Sequence, residues 1–184
     1  MNQLLDLIPE LKVADAIEHI MDWLTDNFAS LFSFIQKAGQ NSMDAFTNFL
    51  MLIPPIIFIL IVVIVAFFAT KKKFGLAVFS LVGLVFIYNQ DLWEELMNTM
   101  TLVVFASIIA IVIGVPIGIL MSKSKIAENS IKPILDFMQT MPGFVYLIPA
   151  VAFFGIGVVP GVFASVIFAL PPTVRFTNLG IRQV

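Results

Sequence analysis

The sequence predicts an all-α, polytopic membrane protein, and three observations support that fold class. Of the 184 residues, 60% are hydrophobic and only 12% are charged, and the mean hydropathy of +1.03 exceeds what a soluble domain requires. Several apolar stretches reach the length of a membrane span. Basic and acidic clusters alternate between these stretches, as expected for loops on opposite sides of a membrane.

Composition excludes several classes of function. The net charge of −2 provides no basic surface for nucleic acid. The absence of cysteine excludes disulfides and thiolate metal sites, and the single His19 has no second histidine with which to bind a metal. No GxxxxGK[ST] motif is present, so no phosphate-binding loop is encoded. The first residues do not resemble a cleaved signal peptide, because Asp6 and Glu10 replace a basic region.

Residues 1–48 form an acidic amphipathic region with a local net charge of −5. Apolar residues recur at helical spacing from Val13 to Ile35, while the acids fall on the opposite side. Trp23 suits a headgroup boundary. The pattern predicts a helix that lies on the membrane or on a neighbouring subunit, at the outer side because an anionic inner leaflet would repel it.

Five spans are predicted after this region. Proline and glycine break the later ones, which is typical of a transport path because irregular backbone inside a membrane must line a cavity or pack on protein. The first three spans are 49–69, 74–88 and 99–121. The fourth is kinked at 141–143 and ends near 154. The fifth begins near Pro160, bends at Pro171–Pro172 and ends between Arg175 and Arg182.

The charge clusters predict the orientation. Lysines and arginines are expected on the cytoplasmic side, and the acidic turn 91–95 and the glycine turn 155–161 on the outer side. Five crossings with the amino terminus outside satisfy this alternation. The residues placed in the cytoplasm are Lys71–Lys73, Lys123, Lys125, Lys132, Arg175 and Arg182.

The later part of the chain resembles a known family. Thr99–Leu102, Ser107 and Gly114–Ile119 look like the opening core helix of the permeases of binding-protein-dependent ABC importers. Residues 133–162 and 168–184 are similar to the subgroup for glycine betaine, proline and related quaternary ammonium osmolytes. In that family the coupling loop with its Glu-Ala-Ala motif begins just after the position of Val184, so we expect the front part of a longer permease.

The resemblance implies a type I ABC importer permease core at 97–184, preceded by the 1–48 region and a two-span hairpin at 49–90. The implied function is osmoprotective import of glycine betaine or a similar solute by alternating access in a prokaryotic cell membrane. The chain would not be an enzyme. Implied partners are an ABC ATPase dimer that holds ATP and Mg²⁺, a binding protein or fused binding domain, a second permease copy and the lipid bilayer.

Three alternatives remain open. One is an ABC permease for another small solute, such as an amino acid or choline. An ion-driven secondary carrier would work without any ATPase. A non-transporting membrane scaffold would position a partner through the acidic helix, although a scaffold has no need of proline-broken spans.

Residues around the fourth span are the candidates for a substrate path. Gln139, Thr140, Phe144 and Tyr146 would line it, because aromatic faces attract a quaternary ammonium group that offers no hydrogen-bond donor. The alternative role for these residues is packing between helices. Pro142, with the pair Pro171 and Pro172, would bend helices and release carbonyls, or make static kinks that pack the bundle.

Charged and small residues have simpler expected roles. Asp136 follows Lys132 by four residues, which predicts a structural ion pair on one helix face. Arg175 and Arg182 would support the coupling surface or anchor the topology at the cytoplasmic side. Gly114, Pro116 and Gly118, with Ala106 and Ala110, give the third span many small residues, which favours close helix packing.

Overall fold

The computed structural model describes residues 13–70 and 74–183, and this part of the chain contains helices without strands. The all-α prediction is confirmed. Asp6, Glu10 and Lys71–Lys73 lie outside the described residues. The helices are α1 (Val13–Met51), α2 (Pro55–Ala69), α3 (Phe74–Asn89), α4 (Trp93–Lys123), α5 (Lys125–Thr140), α6 (Gly143–Phe154) and α7 (Val158–Arg182).

Two of these helices, α4 and α7, are individually long and apolar enough to cross a membrane. Two helix pairs meet the same criterion only together, and both are sharply bent: α1 with α2 by 84°, and α5 with α6 by 95°. Helix α3 is apolar but shorter. By length and composition the described residues therefore hold two candidate spans, or up to four if each bent pair is one span, and the five crossings stay a prediction.

The helix α2 begins later than the predicted first span, because α1 continues to Met51 and absorbs its first residues. Pro54 has an extended backbone, with φ of −54° and ψ of 137°, and Pro55 occupies the first helical position. Proline disfavours a helical conformation in the residue before it but suits the first turn of a helix. The two prolines therefore end one helix and start the next.

Helices α4 and α7 pack closely along most of their length and run parallel. A Cβ built on Gly161 would lie 3.0 Å from Leu102 Cδ1, one on Gly114 would lie 2.9 Å from Thr173 Cγ2, and one on Gly118 would lie 2.6 Å from Thr177 Cβ. The partners in each pair are separated by the same 59 positions in the chain. A constant separation of this kind occurs only when two helices run in the same direction.

The segment between these parallel helices must therefore return from the end of α4 to the start of α7. Helices α5 and α6 make that return as one broken span. At a rise of 1.5 Å per residue they are about 24 Å and 18 Å long, and at nearly a right angle they cover about 30 Å, the thickness of the hydrocarbon core. The predicted kink is thus a complete break, since Met141 is extended, with φ of −87° and ψ of 138°, before Pro142.

Helix α7 remains one helix through Pro171 and Pro172, although a bend was predicted there. The glycine turn precedes it, with positive φ of 73° at Gly155 and 158° at Gly157. Glycine adopts such angles without steric cost, which allows the chain to reverse sharply between α6 and α7.

Helix α1 crosses the end of the bundle at which α7 begins. Its Thr47 and Thr101 of α4 share a hydrogen bond of 2.8 Å between buried hydroxyl groups. A Cβ built on its Gly39 would lie 3.3 Å from Val159 Cγ2, near the start of α7. Because α2 turns nearly perpendicular to α1, a membrane-crossing α2 leaves α1 roughly in the plane of the membrane surface, as the amphipathic pattern predicts.

The buried core forms three clusters along α4. The first lies where α1, α4, α6 and α7 meet, and the second lies under the α2–α3 hairpin. The third lies where α4, α5 and α7 meet, near the end of α4. Their buried members are Met43, Ala106, Ala150, Phe154, Val159 and Val162; Ile59, Trp93 and Met97; and Met121, Leu135 and Val174.

We predict that Gly118→Ala destabilises the protein by about 1–3 kcal/mol, as overpacking typically does. The new methyl group would lie 2.6 Å from Thr177 Cβ and 2.8 Å from the backbone oxygen of Val174, and backbone cannot move aside. Gly83→Ala is the matched control, since no atom of the described residues lies within 4 Å of a Cβ built there. Thermal unfolding of the full-length permease in detergent measures both variants, and equal unfolding midpoints would contradict the packing.

Candidate functional site

The break between α5 and α6 is held by a hydrogen bond that replaces one removed by proline. In a continuous helix the N–H of residue 142 would donate to the carbonyl of Met138, but Pro142 has no N–H. The Tyr146 hydroxyl donates to that carbonyl instead, at 2.9 Å. Tyr146 therefore spans the break from the α6 side and satisfies an acceptor that would otherwise be unpaired inside the bundle.

The other residues predicted for the break lie around it on the surface of the chain. The Thr140 hydroxyl donates to the carbonyl of Phe137 at 2.8 Å, so it satisfies the last turn of its own helix. Gln139 and Pro142 are exposed. Phe144 projects furthest, with 80% of its surface exposed. These positions surround an accessible break, while Tyr146 is half-buried and braces it.

A groove of about 360 Å³ opens beside the break, between α4, α6 and α7. Only Phe144 among the predicted path residues lines it. Pro171 is buried and Pro172 half-buried further along α7, and neither reaches the groove. The lining residues are Leu102, Gly143, Phe144, Leu147, Gly161, Ala164, Ser165 and Phe168.

Sequence reasoning missed the α7 wall of this groove, although a signal was present. Gly161, Ala164, Ser165 and Phe168 follow the spacing i, i+3, i+4 and i+7, which places them on one helix face. That face combines small residues with one hydroxyl and one ring, and such a face leaves space beside a neighbouring helix.

Charged residues of α5 and α7 form ion pairs at the opposite end of the bundle. Arg182 binds both carboxylate oxygens of Glu128, at 2.7 Å and 3.2 Å, and donates to the carbonyl of Met121 at 3.1 Å. Arg175 pairs with Asp136. The two arginines of α7 therefore connect it to α5 and to the end of α4.

The predicted pair between Asp136 and Lys132 does not form, which corrects the sequence interpretation. Lys132 lies 3.6 Å from Glu128, one turn back along α5. Asp136 instead forms an ion pair with Arg175. The planar guanidinium of arginine matches the geometry of a carboxylate better than the ammonium group of lysine does. Spacing along one helix could not reveal an arginine that lies 39 residues away in the chain.

Comparison with known proteins agrees with this architecture. Residues 110–184 match the family described as binding-protein-dependent transport system inner membrane component. The chain is 55% identical to the glycine betaine/carnitine transport permease protein GbuB of Listeria monocytogenes over 179 residues, which are 96% of this chain and 63% of the relative.

Two further relatives carry related names. The glycine betaine transport system permease protein OpuAB of Bacillus subtilis is 44% identical, over 98% of this chain and 63% of its own length. The glycine betaine/proline betaine transport system permease protein ProW of Escherichia coli is 40% identical, over 89% of this chain and 46% of its own. The chain thus spans less than two thirds of these relatives.

We predict that Tyr146→Phe destabilises the protein by about 1–3 kcal/mol, because the carbonyl of Met138 then has neither a backbone nor a side-chain donor. Tyr88→Phe is the matched control at the other tyrosine of the chain, which is exposed, and it should change stability by less than about 0.5 kcal/mol. Unfolding of the full-length permease in detergent measures both. A loss no larger at Tyr146 than at Tyr88 would show that the hydroxyl does not hold the break.

Proposed function

We propose that the chain forms much of the transmembrane permease of an ATP-driven importer for glycine betaine or a related compatible solute, because residues 110–184 match the family of binding-protein-dependent transport system inner membrane components. The observation that carries this proposal is the similarity, over nearly the whole chain, to a glycine betaine/carnitine permease. The family is a membrane component rather than an ATPase, so the chain does no ATP hydrolysis itself.

The fold supports transport because its fourth span is broken. A bundle of continuous helices has no need of the 95° turn between α5 and α6, whereas broken helices commonly line solute paths in transporters. In this proposal Gln139, Thr140, Pro142, Phe144 and Tyr146 surround the path at the break. Alternating access opens the path on one side of the membrane at a time.

The prolines of α7 have a related role in the proposal. Pro171 and Pro172 have no N–H, so the carbonyls of Ile167 and Phe168 lack their helical donors. These carbonyls provide partial negative charge on the α7 side of the path. The helix is nevertheless continuous, so the prolines act through the released carbonyls rather than through a hinge.

The proposed partners follow from the family. A separate ATPase dimer holds ATP and Mg²⁺, and a binding protein or fused binding domain delivers the solute at the outer side. A second permease copy supplies the rest of the path in this proposal. Arg175 and Arg182 lie at the end of α7 that we assign to the cytoplasmic, coupling side, and the amino terminus lies outside.

Carnitine is a second candidate substrate, because the name of one relative includes it. It carries the same trimethylammonium group as glycine betaine on a longer acid, so the two solutes should compete for one path.

We predict ATP-dependent uptake of labelled glycine betaine into sealed vesicles that contain the full-length permease with its ATPase and binding component. Vesicles without internal ATP are the control and should accumulate nothing above passive entry. Excess carnitine should reduce the uptake, while an ordinary amino acid should not. Accumulation of betaine without ATP, or of another solute with betaine inert, would overturn the assignment.

A further inference from the structure

The groove between α4, α6 and α7 has two aromatic walls and a glycine floor. Phe144 of α6 is 80% exposed and Phe168 of α7 is 55% exposed, so the rings of both are available to a ligand. On the floor, a Cβ built on Gly143 would lie 3.6 Å from the Phe168 ring, and one on Gly161 only 3.0 Å from Leu102 Cδ1. The glycines therefore create the depth of the groove.

The lining suits a cation that cannot donate hydrogen bonds. Among the described residues that line the groove, none is a lysine, arginine, aspartate or glutamate, and the one polar side chain is Ser165. An ammonium group with methyl substituents spreads its positive charge over an apolar surface, and aromatic faces attract it in such an environment. An inorganic cation would require several oxygen ligands, which this lining does not supply.

The backbone of α7 near the groove contains carbonyls that lack their helical donors. Phe168 contributes its ring to the wall, and its carbonyl lacks the helical donor because residue 172 is proline. The carbonyl of Ile167 lacks its donor in the same way, because residue 171 is also proline. Two adjacent carbonyls at one turn of α7 therefore keep more of their partial negative charge than carbonyls that are bonded within the helix.

The position of the groove along the bundle agrees with a solute path. It extends from the contact of Gly161 with Leu102, near the start of α7, to Gly143 at the break. Contacting residues of α4 and α7 are 59 positions apart in the chain. Phe168 therefore lies at the level of Ile109, which is close to the middle of the Trp93–Lys123 helix. Substrate sites of transporters built on broken helices lie near the middle of the membrane.

We propose that this groove binds the quaternary ammonium group of the transported solute, with Phe144 and Phe168 as its aromatic walls and Ser165 between them. The inference rests on the proposed function, because it assumes that the solute carries such a group. It adds a binding site within the permease itself, which the solute occupies after delivery from the binding component.

Stepwise fluorination of the Phe168 ring tests the aromatic wall. One, two and three fluorines progressively weaken the attraction of the ring for a cation but change its shape little. The efficiency of betaine uptake, kcat/KM, should fall with each fluorine and reach about one tenth with three. The same series at Phe176, on α7 but outside the groove and 73% exposed, is the control and should show no trend.

The result separates the two proposals. If the unmodified importer accumulates betaine and fluorination of Phe168 has no effect on kcat/KM, the groove does not bind the ammonium group. If the unmodified importer does not transport betaine at all, the proposed function fails first.

A cysteine at Ser165 tests binding without transport. Residues 1–184 contain no cysteine, so Ser165→Cys in a cysteine-free full-length permease introduces one thiol. A methanethiosulfonate that carries a trimethylammonium group should modify this thiol in the assembled importer, and saturating glycine betaine should slow the reaction about tenfold if the site is mostly occupied. Ile156→Cys, at a 93% exposed position of the turn between α6 and α7 and outside the groove, should react at the same rate with and without betaine.

Two outcomes would overturn the proposal. Equal modification of Cys at position 165 with and without betaine would mean that the solute does not occupy the groove. No modification at all would mean that lipid or the second permease copy covers the groove.

Discussion

The close approach of α4 and α7 at Gly118 and Thr177 determines how the remaining chain can run. Only glycine allows this distance, since a Cβ at residue 118 would lie 2.6 Å from its neighbour. The contact holds two parallel helices together, and parallel neighbours require a connection that returns along their whole length. The broken span of α5 and α6 follows from that requirement, and so does the position of the groove beside it.

Pro142, Pro171 and Pro172 each remove a hydrogen-bond donor near the proposed path, and the consequences differ between them. At the break, the Tyr146 hydroxyl replaces the donor that Pro142 lacks, so that site is braced. At Pro171 and Pro172, helix α7 stays intact and the carbonyls one turn earlier lose their donors. The missing N–H of proline thus contributes to the break between α5 and α6, and it leaves unpaired carbonyls in the backbone of α7.

Much of the helical architecture was predictable from the sequence, because hydropathy and proline placement are local signals. The predicted 74–88 span corresponds to α3, and α4 contains the predicted 99–121 span. The length of helix α1 was underestimated, because no residue before Pro54 ends a helix and α1 continues to Met51. The pairing of Asp136 with Arg175 and the groove wall at Ser165 and Phe168 depend on contacts between distant segments, which spacing along one helix does not encode.

The measurement that tests this account most directly is the sidedness of the two ends of the broken span. Single cysteines at Ile156, which is 93% exposed between α6 and α7, and at Lys123, at the end of α4, would be exposed to a membrane-impermeant thiol reagent in sealed vesicles. The account predicts that Ile156→Cys reacts from one side of the membrane and Lys123→Cys only from the other. Reaction of both from the same side would mean that α5 and α6 form a re-entrant loop, and it would contradict the parallel arrangement of α4 and α7.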